Sequence, residues 1–125
     1  MSSEGPARLE PPFRVSVSRS DGRVLVAVDG ELDLATAPEL RDVLVALSED
    51  GDKEVTLDLT GLEFIDSTGL SVLVMTFTRA RAAGGSLVIR NPSQSVTRIL
   101  EITGLVSVFT IEHEDAAILT RSDAM

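Results

Sequence analysis

Residues 54–74 read EVTLDLTGLEFIDSTGLSVLV. The first six, Glu54 to Leu59, are dense in β-branched and apolar residues, as a buried strand is. After Ser67 the spacing changes: Leu70, Leu73, Val74 and Phe77 recur every three or four residues, the period of a helix. A strand that hands over to a helix in this way is the building unit of a parallel α/β sheet. Between the two lie Asp66, Ser67 and Thr68, an acid and two hydroxyls inside what should be core. Such residues are there to catalyse, to cap the helix or to carry a modification.

The same alternation continues on both sides. Upstream, FRVSVS alternates Phe13, Val15 and Val17 with polar residues and RVLVAV follows. Asp21-Gly22 between them suits a tight turn with positive φ, so these two strands form an antiparallel hairpin. Leu40, Val43, Leu44 and Leu47 then mark a first helix, with Thr36 and Glu39 as its capping box and Gly51 as its stop. Downstream of Phe77, Gly84-Gly85 ends the second helix and SLVIR is a short strand. NPSQSVTRILEITG is a third helix, opened by Asn91-Pro92, with Val96, Ile99 and Leu100 inward and Gly104 at its end. SVFTI is a last strand. The order is β-β-α-β-α-β-α-β: an α/β fold with a mixed, mainly parallel sheet and helices packed on it. One domain over residues 13–111 is expected. A proline-rich lead-in without periodicity covers 1–12, and an acidic tail covers 112–125, in which EDAAILTR has the pattern of a short helix.

Composition removes several functional classes. Of 125 residues, 20 are Asp or Glu and 11 are Lys or Arg, a net charge of −9 that repels nucleic acid and anionic lipid. A protein partner with a basic patch fits better. There is no cysteine, and His113 is the single imidazole, read as an ordinary surface residue after the last strand; no metal and no cofactor is expected. No apolar run approaches the ~20 residues of a membrane span, and the first twelve residues lack the features of a signal peptide, so the chain reads as cytoplasmic.

Catalytic readings of FIDSTG fail on spacing. A nucleophile elbow needs glycine two residues before the serine, where Ile65 stands. An aspartic protease loop needs one residue between its aspartate and glycine, and here two separate Asp66 from Gly69. A cap accounts for Asp66, whose carboxylate can accept a backbone N–H of the first turn. It does not account for Ser67, Thr68 and Gly69 filling that turn together, since all three are modest or poor helix formers. With Asp66 as N-cap, Ser67 is the first helical residue and its hydroxyl projects outward. Helical geometry adds a surface: at about 100° per residue, Thr68, Val72, Met75 and Arg79 lie opposite the Leu70 stripe. Val72 and Met75 are therefore expected to form the apolar centre of a partner interface, with Arg79 at its rim.

GELDLATAPELR from Gly30, LDLTGLEFIDSTGLSVLV and NPSQSVTRILEITGL together resemble the anti-sigma factor antagonists, stand-alone bacterial members of the STAS domain family, from about Phe13 to Ile111. The resemblance implies a regulator without catalysis of its own. Such a regulator binds an anti-sigma factor of the histidine-kinase-like ATPase type and so releases sigma factor. That partner, a serine kinase, phosphorylates it, and a serine phosphatase reverses the step. By motif the acceptor is Ser67, with Thr68 as the alternative, Asp66 beside it and Asp33 on a neighbouring loop. Asp33 reads equally as another helix-start carboxylate. The same family also implies a second role, as a scaffold subunit in a stressosome-like or lipid-transport assembly.

Overall fold

The computed structural model describes residues 12–114, so the expectations for the lead-in before Pro12 and for a helix in the tail lie outside the described residues. Strand β1 (Arg14–Ser20) turns back on β2 (Arg23–Leu32) through Asp21 and Gly22, at φ +55° and +78°, the expected antiparallel hairpin. Then follow α1 (Ala37–Glu49), β3 (Glu54–Asp58), β4 (Leu62–Ile65), α2 (Ser67–Ala82), β5 (Ser86–Arg90), α3 (Gln94–Ile102), a 3-10 turn (Leu105–Ser107) and β6 (Thr110–Glu112). The sheet order is β1-β2-β3-β5-β6, with every pairing beyond the hairpin parallel. This is the mixed, mainly parallel sheet with three packed helices that the sequence implies.

Strand β4 was not foreseen. The ten-residue β2 pairs first with β3, through Val24 to Ala27, and then with β4, through Gly30 to Leu32, changing register between Gly30 and Glu31. Glycine is needed at the bend. Gly30 has φ +100°, and a Cβ there would lie 3.0 Å from the Pro12 carbonyl oxygen. Through this bend β2 carries Leu32 alongside Ile65, immediately before Asp66.

Alternate residues of the strands point into one core: Val24, Val26, Val28 and Leu32 from β2, Val55 and Leu57 from β3, Leu87 and Ile89 from β5. Leu40, Leu44 and Leu47 of α1 and Val96 and Leu100 of α3 close over them as the sequence pattern requires. Each such side chain contributes about 1.5–3 kcal/mol when fully buried.

Four local expectations are corrected. Thr36 makes no capping bond into α1, because Thr36 and Asp33 bond each other in the turn before it. The Asn91-Pro92 pair stands ahead of α3, whose cap is Ser93, its Oγ accepting the Val96 N–H at 3.3 Å. Asn91, at φ +52°, instead accepts the Glu114 N–H on its Oδ1 at 2.6 Å. Only Thr110–Glu112 of the last segment is strand; Leu105–Ser107 is a 3-10 turn that seats Phe109 edge-on against Phe77, ring centroids 5.6 Å apart.

The fourth correction concerns the face of α2. Its buried residues are Gly69, Val72, Leu73, Thr76 and Ala80, while Val74 is exposed and Leu70 and Phe77 are only half-buried. The inward direction is rotated by about 90° from the Leu70 stripe. Small residues cause the rotation: a Cβ on Gly69 would come 2.8 Å from Leu32 Cγ and from Ile65 Cγ1, so the helix lies close to β2 and β4 along this side. The buried Thr76 hydroxyl bonds back to the Val72 carbonyl at 2.8 Å and adds no unsatisfied group. Val72 is thus core, 6% exposed, and not the centre of a docking face.

Candidate functional site

Asp66 leaves β4 in extended conformation, φ −109° and ψ −172°, and its Oδ1 accepts the Gly69 N–H at 3.0 Å. Its own N–H donates to the Leu32 carbonyl at 3.1 Å, fastening the junction to the end of β2. Ser67 is the first residue of α2, as expected, and is exposed; Thr68 is half-buried. A hydroxyl here meets the helix N-terminus, whose dipole favours an anion. Ser71, one turn on, donates its Oγ–H to the Ser67 carbonyl at 3.0 Å.

The neighbouring loop is built around Asp33, directly after Leu32. Asp33 Oδ1 accepts the N–H groups of Ala35 and Thr36 at 3.0 and 3.1 Å. Thr36 Oγ1 accepts the Asp33 N–H at 2.9 Å and donates to the Glu31 carbonyl at 2.7 Å. Asp33 is therefore a structural carboxylate of the turn, whatever else it contacts. Because Leu32 and Ile65 are Cα partners in parallel strands, Asp33 and Asp66 each follow the same row of the sheet by one residue.

Asp33, Asp66, Ser67 and Thr68 are brought to one end of the sheet; Met75 and Arg79 are not. Along α2 they lie about 12 and 18 Å from Ser67. Met75 is half-buried and Arg79 exposed, and both line a cleft of about 60 Å³ with Leu44, Lys53 and Ala80. Arg19 lies at that same far end, its pKa raised by a hydrogen bond to Asp52 at 2.6 Å and by the charge of that carboxylate. An apolar exposure that the periodicity did not reveal concerns three side chains. Leu34 is 74% exposed, Phe64 48% and Val74 39%. Its signal in the sequence was faint: Leu34 sits off any period between Asp33 and Ala35. Beside Phe64, β4 and α3 bound a groove of about 320 Å³ lined by Ile65, Ser95, Arg98 and Ile99.

A strand-to-helix junction with a capped, outward serine, next to an aspartate turn on the parallel strand, coincides with a match of residues 14–117 to the STAS domain. The chain belongs to the STAS domain family. The anti-sigma-B factor antagonist of Bacillus subtilis is 38% identical over 99 residues, 79% of this STAS chain and 90% of that protein. The crystal structure of an anti-sigma factor antagonist from Mycobacterium paratuberculosis superposes with a TM-score of 0.72 at 28% identity, covering 91% of this chain and 97% of the other. The phosphorylated form of the Bacillus cell fate determinant SpoIIAA gives a TM-score of 0.67 at 18% identity, over 89% and 98% of the two chains, a likeness of fold. Among the described residues no cluster of side chains has the composition of a metal site, and no helix is long and apolar enough to cross a membrane.

Proposed function

We propose that this STAS domain is an anti-sigma factor antagonist, active when Ser67 is unmodified and switched off when Ser67 is phosphorylated. The observation that carries the reading is the exposed Ser67 at the first position of α2, held by the Asp66 cap within Asp-Ser-Thr-Gly. The half-buried Thr68 is the less accessible hydroxyl, which favours Ser67 as acceptor. The partner is an anti-sigma factor of the histidine-kinase-like ATPase type, cytoplasmic like this chain. In transferring the γ-phosphoryl group of ATP to Ser67 Oγ it releases ADP; a serine phosphatase hydrolyses the ester. The domain binds and is modified, and contributes no catalysis of its own. Nucleic acid and membrane are not its targets, consistent with a charge of −9.

Phosphorylation adds about −1.5 to −2 charge. At the start of α2 the dipole favours that charge by about 0.3–1 kcal/mol, so the fold tolerates it. Against an acidic group ~5 Å away the repulsion is about 1–3 kcal/mol per unit charge pair, from water-like to protein-like dielectric. Together with the bulk of the phosphate this separates the partners without unfolding either. Asp33, Asp66 and Thr68 surround Ser67 as the polar part of the surface. The test is incubation with the anti-sigma kinase and Mg-ATP followed by phosphopeptide mapping. Phosphate on Ser67 is expected; none on residues 62–78 overturns the proposal.

A further inference from the structure

We propose that Leu34 is the apolar anchor of the partner interface, entering a pocket with an apolar floor and a Lys/Arg rim on the kinase that modifies Ser67. The proposal rests on the reading of Ser67 above. A single exposed leucine is ordinary on a protein surface. Rigidity, position and charge distinguish this one.

Leu34 is 74% exposed, yet the chain that carries it is tied on both sides. The Asp33 carboxylate holds the N–H groups of Ala35 and Thr36, and the Thr36 hydroxyl spans from the Asp33 N–H to the Glu31 carbonyl. A side chain displayed on a fixed loop leaves only its own rotamers to be ordered on binding. The loop is also tied to the serine. Leu32 and Ile65 are Cα partners in parallel strands, and the Asp66 N–H reaches the Leu32 carbonyl at 3.1 Å. Leu34 and Ser67 each stand two residues beyond that row. With strands ~4.8 Å apart and at most ~3.6 Å of chain per residue, their Cα atoms lie within about 20 Å. A partner footprint of about 800 Å² is roughly 30 Å across and covers both.

The electrostatic setting selects the chemistry of the pocket. Residues 24–40 and 54–78, which carry the Asp33 turn and the Ser67 junction, contain no lysine or arginine, while Glu31, Asp33, Glu63 and Asp66 are among their acids; the nearest cation identified is Arg98 of α3, in the groove beside Phe64. An apolar tip in an acidic field is matched by an apolar pocket rimmed with basic side chains. A second copy of this chain would present the same acids and be repelled. A phosphate on Ser67 would itself be attracted to such a rim, so release acts at the serine, through the bulk of the phosphate and repulsion from an acidic partner group there, and not at the anchor.

The experiment compares wild type with Leu34→Ala, Leu34→Asp and Leu34→Met, binding each to the kinase that phosphorylates Ser67, with Mg-ADP present so that no transfer occurs. Leu34→Ala is expected to weaken affinity about ten-fold or more and Leu34→Asp about a hundred-fold or more, while Leu34→Met stays within about three-fold. Circular dichroism and melting of the variants should match wild type. If Leu34→Ala binds within about two-fold of wild type while the same kinase still modifies Ser67, Leu34 is not the anchor and the switch reading stands. If no kinase modifies wild-type Ser67, both fall. If Leu34→Asp instead changes the sedimentation of the chain by itself, the side chain serves self-association and the proposal is overturned.

Discussion

At Asp66 two roles meet in one carboxylate: it caps α2 through the Gly69 N–H at 3.0 Å, and it stands beside the serine proposed as the switch. Substitution separates them. Asp66→Ala removes the cap and should cost about 1 kcal/mol, a fall of about 3–6 °C in melting temperature for a domain of this size. Asp66→Asn keeps a capping oxygen and should melt within a degree or two of wild type, since Asn and Asp cap about equally well; any loss of kinase affinity in that variant then reports the charge alone. Ser67→Ala should bind the kinase and resist phosphorylation. Ser67→Asp should fold, melt within a few degrees of wild type and bind weakly, because it sets a second charge next to Asp66. An aspartate variant that binds as tightly as wild type would remove Ser67 from the interface. The phosphorylated protein, with nearly twice the charge of aspartate, is the stronger form of the same measurement.

The α2 helix is where reading the sequence succeeded at one end and failed along the side. Its start was legible because a cap is local: an aspartate after an apolar strand, one turn before an apolar run, has few alternatives, and Ser67 emerges exposed as that geometry requires. Its orientation was not legible, because Leu70, Val72, Leu73, Val74, Met75 and Phe77 put apolar groups nearly all round the helix and a period fits more than one face. What decides is tertiary: Gly69, Thr76 and Ala80 are small enough to let the backbone approach the sheet, and apolar counting gives such residues little weight. The missed β4 has a similar cause, since four residues directly after Thr60-Gly61 carry too little pattern to separate strand from loop. The observed face makes opposite predictions for adjacent apolar residues. Val72→Asp buries an unpaired charge and should collapse the melt, whereas Val74→Asp should fold with little change. The reverse result, a collapse with Val74→Asp and not with Val72→Asp, would return the helix to its sequence-derived orientation. Gly69→Ala adds a further check: the intrinsic gain of about 1 kcal/mol for alanine in a helix should be outweighed by the 2.8 Å approach to Leu32 and Ile65, so the variant should melt lower, not higher.

For the whole molecule, the parallel crossovers gather the starts of α1 and α2, and with them Asp33 and Ser67, at the carboxyl ends of β2 and β4. The cations are mostly elsewhere: Arg19 pairs with Asp52 at 2.6 Å, and Arg90 meets Glu112 and Glu114 at 3.4 and 3.6 Å. A net charge of −9 with an acidic pole around the serine acts over distance as well as in contact, and the two regimes respond differently to salt. Steering toward a basic partner surface depends on charges separated by more than a Debye length, about 10 Å at 0.1 M salt and 3 Å at 1 M. Apolar anchoring once docked does not. Raising sodium chloride from about 0.05 to 0.5 M should therefore slow association with the anti-sigma kinase by about ten-fold or more while changing dissociation by no more than about three-fold. Stopped-flow or surface-plasmon kinetics would separate the two constants. An association rate independent of salt would mean that the partner surface is not basic, and would remove the charge complementarity on which the Lys/Arg rim rests: Leu34 could then act only through apolar burial.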